Sequence, residues 1–143
     1  MEEAIVLAKR YDVLIPDDID FYGAEAGSLG KDINASYWAW PRSEAWAKVR
    51  WVSWKDFYNV HGKIMIQLDS SILKSDEGIV GFIAHEMHEL NKLRKLFEET
   101  PGQRMTVERL AKLINAEHDG QLHLEAWDVS DQIITRMRNE GKP

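Results

Sequence analysis

Cysteine is absent from this sequence of 143 residues. Its absence excludes disulfide bonds, thiolate zinc sites, iron–sulfur clusters and a cysteine nucleophile. If the protein binds a metal ion, the ligands must therefore be histidine, aspartate or glutamate side chains. The chain contains only five histidines, so their positions decide where such a site can lie.

An excess of basic residues, a signal peptide and a long apolar run are also missing. The net charge of -6 argues against general binding of nucleic acid through a basic surface. The chain starts with acidic Glu2 and Glu3, whereas secretory signals start with basic residues and continue with an apolar run. No apolar run approaches the ~20 residues of a membrane span. We therefore expect a soluble protein, cytoplasmic rather than secreted, that makes no membrane contact.

The length predicts one domain over residues 1–143, because domains commonly contain ~100–200 residues. A short helix is expected at 2–10, and the glycines of residues 23–35 indicate a loop. Alternation predicts a strand from residue 47, with Ala47, Val49 and Trp51 on one face and Lys48, Arg50 and Val52 on the other. A turn at 59–62 leads to a second strand at 63–68, with Ile64, Ile66 and Leu68 facing inward.

Helices are expected to fill the second half of the chain. Ser75 is a good N-cap for a helix that ends near residue 99, before Pro101. Thr106 can cap a helix to about residue 115, and a last helix is expected at about 121–138, after Gly120. The predicted fold is α+β: a short N-terminal helix, a small sheet, then three helices.

Tryptophan is concentrated between residues 37 and 54. The cluster could form an aromatic binding surface, but tryptophans in a small domain more commonly pack the core against a sheet. We expect core packing. The members of this cluster are Trp38, Trp40, Trp46, Trp51 and Trp54.

The segment 79–90, Ile-Val-Gly-Phe-Ile-Ala-His-Glu-Met-His-Glu-Leu, is the most informative. On a helix of ~100° per residue, His85, Glu86 and Glu89 lie on or beside the apolar face, whereas His88 turns away. Burying an unpaired carboxylate costs several kcal/mol, so a compensating partner is required. His85 and Glu89 lie one turn apart on one face, which is the spacing that two ligands of one ion need. The alternative is that the acids pair with lysines of a purely structural helix.

A catalytic zinc site needs three protein ligands and an open position. On the last helix, His123 falls within the apolar arc, so we expect it to be the third ligand. His118, which precedes Gly120 in the connecting loop, is the reserve. A lone histidine on an apolar face is commonly a core residue, but here two helices direct histidines inward. Asp128 or Asp131 is expected to orient a ligating histidine.

The strand at 63–68 and the following helix with Ala84-His85-Glu86-Met87-His88-Glu89-Leu90 resemble the zincin metalloproteases. The resemblance covers roughly residues 60–130, and the core of the metal site is expected at about 60–138. It implies that His85 binds zinc and that Glu86 is the general base. His123 would correspond to the ligand that a later helix supplies in glutamate-type zincins. It also implies a peptide or protein substrate that lies along the preceding strand.

The chain departs from the family motif His-Glu-x-x-His, because Glu89 stands where the second histidine is expected. The resulting His-Glu-x-x-Glu motif keeps the ligand spacing but makes the site more anionic. Mn²⁺ and Fe²⁺ are therefore alternatives to Zn²⁺. Tyr58 and His61 are candidates for stabilising an oxyanion near the site.

These features favour a metal-dependent hydrolase, with a zinc peptidase as the leading hypothesis. Two other functions stay open. One is a noncatalytic binding module of zincin-like fold, in which the tryptophan-rich face contacts a partner. The other is a metal-dependent nuclease or toxin-type effector domain, which the negative net charge disfavours.

Overall fold

A computed structural model describes residues 2–28, 35–36, 51–58, 61–71, 75–114 and 120–140. The helices of this part are α1 (Glu2–Arg10), α2 (Asp76–Glu98), α3 (Val107–Ile114) and α4 (Gln121–Glu140). The strands are β1 (Ile19–Ala24), β2 (Ala35–Ser36), β3 (Trp51–Ser53), β4 (Ile64–Asp69) and β5 (Arg104–Thr106). The fold is therefore α+β, which confirms the predicted class, although β5 stands between α2 and α3, where the sequence predicts no strand.

The strand β4 lies in the middle of a three-stranded sheet. The strand β1 runs parallel to it on one side, and β2 runs antiparallel on the other. Ile64, Ile66 and Leu68 are fully buried, whereas Met65 and Gln67 are partly exposed, so the predicted alternation of this strand is confirmed. A separate antiparallel ladder joins β3 to β5.

One expectation about the strands is wrong. The sequence predicts a loop from residue 23 to residue 35, but Gly23 and Ala24 still belong to β1 and pair with β4. Parallel pairing with a strand far along the chain leaves no local pattern that the sequence could reveal. In β3, Val52 is only 2% exposed while Trp51 is 44% exposed, so these two residues lie on opposite faces as predicted, and the face with Val52 is the inner one. Positions 47–50 of the predicted strand lie outside the described residues.

Capping residues place the helices where the sequence predicts them. The Ser75 hydroxyl accepts a hydrogen bond from the Gly78 backbone N–H at 3.0 Å, and Thr106 Oγ1 accepts one from the Arg109 N–H at 3.1 Å. Each bond satisfies a donor that the first helical turn leaves unpaired. The observed ends of the helices therefore differ from the expected ones by a few residues at most.

The helices α2 and α4 pack along each other, and Gly81 is one of the residues at which they are in contact. The buried Ser130 hydroxyl donates a hydrogen bond to the Gly81 carbonyl at 2.8 Å. A Cβ atom at Gly81 would lie 2.7 Å from Cδ1 of Ile134, which is closer than real carbon atoms approach. Absence of a side chain at Gly81 thus allows this contact between the first half of α2 and the middle of α4.

The tryptophans divide between core and surface. Trp54 is 7% exposed and packs against the rings of Phe57 and Phe97 at centroid distances of 5.1 and 5.6 Å, so core packing is confirmed for this residue. Trp51 is exposed, and Trp38, Trp40 and Trp46 lie outside the described residues. Within the described ranges, no helix has the length and apolar character required to cross a membrane.

Candidate metal centre

His85, Glu89 and His123 meet between α2 and α4. His85 and Glu89 lie one turn apart on α2 and are 2% and 4% exposed, while His123 lies in the first turn of α4 with a quarter of its side chain exposed. The amphipathic pattern of α2 buries the first two, and the close approach of the helices brings the third to them. The structure thus brings together the three residues that the sequence predicts as ligands.

The Glu89 carboxylate lies near both histidine rings. Its Oε2 atom is 3.4 Å from His85 Nε2 and 3.5 Å from His123 Nδ1. The two imidazole rings are 4.9 Å apart and nearly perpendicular. One potential ligand atom from each residue lies within 4.8 Å of the other two, and among the described residues this is the one group of acids and histidines that does so.

The two distances from Glu89 Oε2 fit a small divalent cation. Ligand atoms ~2.0–2.1 Å from a tetrahedral zinc ion are separated by about 3.3–3.4 Å, and both contacts of Glu89 Oε2 are close to that separation. Two imidazoles and a carboxylate form a known donor set of catalytic zinc sites that keep a fourth position open. The same set also suits Fe²⁺ or Mn²⁺.

A buried nitrogen without a partner also lies at this site. His85 Nδ1 makes no hydrogen bond to the described part of the chain although the ring is enclosed. Buried polar atoms are nearly always satisfied by protein, water or an ion. The hydrogen bonding of the His85 ring is therefore incomplete in the described protein atoms, at the nitrogen other than the Nε2 that faces Glu89.

Trp127 occupies the position next to His123 that we expected an acid to take. Its indole N–H donates a hydrogen bond to His123 Nε2 at 3.1 Å, and its ring also lies 4.3 Å from the ring of His85. Asp128 and Asp131 are both exposed. The side chain that orients His123 is thus an aromatic donor one turn later on the same helix.

His88 does not turn fully away from the site, contrary to its position on the helical wheel. It is only 22% exposed, and its Nε2 atom lies 3.7 Å from Glu125 Oε2 of α4. The wheel places His88 about 60° from His85, and α4 covers a wide enough arc of α2 to reach both. His88 is nevertheless not a member of the three-residue group.

Glu86 is buried at 6% exposure between His85 and Met87. The sequence places its side chain about 100° from His85 around the helix, on the side toward the apolar core. Its role as a general base stays a prediction.

Tyr58 belongs to a different network. Its hydroxyl donates to Asp18 at 2.7 Å and accepts from the Trp54 indole at 3.0 Å, and Arg94 lies within 3.1 Å of the same Asp18 carboxylate. Burial, and then the hydrogen bond to Asp18, raise the pKa of the Tyr58 hydroxyl above its ordinary value. Because Arg94 lies about 13 Å beyond His85 along α2, this network is remote from the cluster.

Neither of the remaining sequence candidates is among the three residues that the described part of the chain brings together. His61 is exposed in the turn before β4, and His118 lies outside the described residues. Two features of the site escape the sequence pattern: the Trp127 hydrogen bond and the Gly81–Ser130 contact. The spacing of Trp127 four residues after His123 is the only local signal for the first, and the second depends on how two distant helices pack.

Comparison of the chain with protein-family models, with curated proteins and with solved structures finds no match. The interpretation of the site therefore depends on its own residues and geometry.

Proposed function

We propose that this protein is a metal-dependent hydrolase, with peptides as its substrates and zinc as its metal. The observation that carries the proposal is the convergence of His85 and Glu89 from α2 with His123 from α4. Those residues supply the two imidazoles and one carboxylate of a catalytic zinc site. A zincin-like arrangement, in which a strand precedes the helix with the first ligands, is part of this proposal.

The burial of the cluster supports metal binding over a surface ion pair. The Glu89 carboxylate is 4% exposed and has imidazole nitrogens at 3.4 and 3.5 Å. Exposed ion pairs contribute little to stability, whereas enclosed charged groups require strong compensation. A divalent ion would provide that compensation, and it would lie within reach of solvent through the exposed edge of His123.

When bound, a divalent ion supplies Lewis-acid chemistry: it polarises a substrate carbonyl and lowers the pKa of water. The remaining chemistry belongs to the chain. His85, Glu89 and His123 would fix the position of the reacting groups. Glu86 would accept the proton of the attacking water and deliver it to the leaving nitrogen, as a general base and then an acid.

The test is hydrolysis of a mixed peptide library by protein loaded with Zn²⁺, Mn²⁺ or Fe²⁺. We expect cleavage by the wild type and a fall in kcat of about 10²–10⁴-fold in Glu86→Gln, with the bound metal retained. The matched control is Glu99→Gln, which changes an exposed acid at the end of the same helix. Metal binding without cleavage by the wild type would contradict the hydrolase and leave a noncatalytic metal-binding module.

A further inference from the structure

Trp127 makes contacts with two residues of the candidate metal centre and with the neighbouring Phe82. Its indole N–H donates to His123 Nε2 at 3.1 Å. Its ring lies against His85 at a centroid distance of 4.3 Å and meets the edge of Phe82 at 5.7 Å. The indole is thus held in place on two sides, although the residue is 37% exposed.

The contacts of His123 define the orientation of its ring. Nε2 faces the Trp127 indole and Nδ1 faces Glu89 Oε2. Rotating the ring by half a turn would place carbon atoms at both positions and lose both polar contacts. Because an indole N–H can only donate, His123 Nε2 must be the accepting nitrogen. In a neutral ring, the hydrogen therefore lies on Nδ1 and points at Glu89.

This arrangement is incompatible with coordination through Nδ1. A ligating nitrogen must present its lone pair, and the other ring nitrogen of a neutral imidazole then carries the hydrogen. Nε2 would become a donor facing the Trp127 donor. Partners on ligating histidines are usually acceptors that favour the ligating form, whereas Trp127 favours the opposite form.

We propose that Trp127 is a positioning residue that holds His123 in a closed, non-ligating form against Glu89, and that it must release His123 when a metal ion binds. The proposal rests on the proposed metal site and adds a residue that lowers and regulates its affinity. Removing the indole N–H while keeping an aromatic ring should therefore strengthen metal binding. A purely structural role for Trp127 predicts the reverse.

The first test requires no variant and no metal. Long-range ¹H–¹⁵N spectra of the metal-free wild type, at a pH at which imidazoles are neutral, report which nitrogen of His123 carries the hydrogen. We expect the Nδ1–H form, together with a shift of the Trp127 indole N–H resonance when Zn²⁺ is added. The Nε2–H form in the metal-free protein would overturn the inference.

The second test is calorimetric titration of Zn²⁺ into wild type and Trp127→Phe. We expect tighter binding by the variant, by roughly three- to tenfold, which is the range expected for loss of one competing hydrogen bond. The matched control is Trp51→Phe, which changes an exposed tryptophan outside the cluster and should leave the affinity unchanged. Equal or weaker binding by Trp127→Phe overturns this inference alone. Failure of both proteins to bind Zn²⁺ overturns it together with the proposed function.

Discussion

At the scale of single residues, the site depends on which histidines the helices turn inward. The amphipathic pattern alone selects His85 and Glu89 as a buried pair, and their burial at 2% and 4% agrees with it. The wheel also selects His123, although the residue lies at the edge of the buried arc with its side chain a quarter exposed. Hydrogen-bond partners were not predictable, because a donor such as Trp127 is recognised only once the ring orientations are known.

Tyr58 provides a residue-scale prediction. Substitution of Tyr58→Phe removes the hydrogen bond to Asp18, and we expect it to lower the free energy of unfolding by about 1–2 kcal/mol. Because this network is remote from His85, zinc affinity and peptide cleavage should stay within about twofold of wild type, a change below ~0.5 kcal/mol. Denaturant unfolding and zinc titration of the same preparation measure the two effects. A tenfold fall in kcat with unchanged zinc affinity would instead restore Tyr58 as an oxyanion-stabilising candidate.

At the scale of elements, the helices and their ends could be predicted, but the pairing of strands could not. Caps and apolar periodicity are local, and Ser75 and Thr106 start α2 and α3 where expected. In the strand β1, Asp20 and Gly23 interrupt the apolar residues, and the strand pairs with the distant β4. Pairing with a strand that is distant in the sequence produces little local pattern from which β1 could be predicted.

The approach of α2 to α4 gives an element-scale prediction. In Gly81→Val, the added side chain would displace Ile134 and Ser130, both of which lie within 3.2 Å of the position of a Cβ atom. We expect a loss of stability of about 1–3 kcal/mol from overpacking and a fall in zinc affinity of roughly tenfold, which corresponds to ~1.4 kcal/mol. Thermal unfolding and zinc titration measure these effects.

The control for this substitution is Lys92→Val, which places the same residue on the exposed side of α2. It tests the helix propensity of valine without the contact between helices. Equal zinc affinity in wild type and Gly81→Val would show that the site does not depend on this contact.

Asp69 is the last residue of β4, and it accepts a hydrogen bond from Gly27, shortly after the end of β1. This contact predicts that the stability of the protein depends on pH. Hydrogen bonds from the side chain and backbone N–H of Ser71, and from the backbone N–H of Gly27, hold the pKa of the Asp69 carboxyl below its ordinary value. Its stabilising contribution is therefore complete above the unfolded-state pKa of ~3.9. It is lost as the pH falls through the lower folded-state pKa.

We expect Asp69→Asn to lower stability at pH 6 and to make the decline of stability toward pH ~3, below the unfolded-state pKa, shallower than in wild type. Urea unfolding at a series of pH values measures this dependence. Asp128→Asn, which changes an exposed carboxylate, should retain the wild-type profile. An identical pH profile for Asp69→Asn and wild type would mean that Asp69 does not contribute to it.

At the scale of the whole molecule, the α+β class followed from the order of predicted elements, while the arrangement of α2 against α4 required the structure. The cluster depends on that arrangement, because two of its residues come from one helix and the third from another. The absence of cysteine restricts possible metal ligands to histidine, aspartate and glutamate. The packing of α2 against α4 brings three such side chains together.

The most direct test of the central claim is calorimetric titration of Zn²⁺ into the purified chain. We predict one zinc ion per chain, with binding weakened at least ~100-fold in Glu89→Gln and in His123→Ala. Loss of an outer partner alone commonly costs about 10–100-fold, so loss of a ligand should cost no less. His61→Ala, which removes an exposed histidine outside the cluster, should bind as wild type does. No binding by the wild type, or equal binding by all four proteins, would contradict the metal centre.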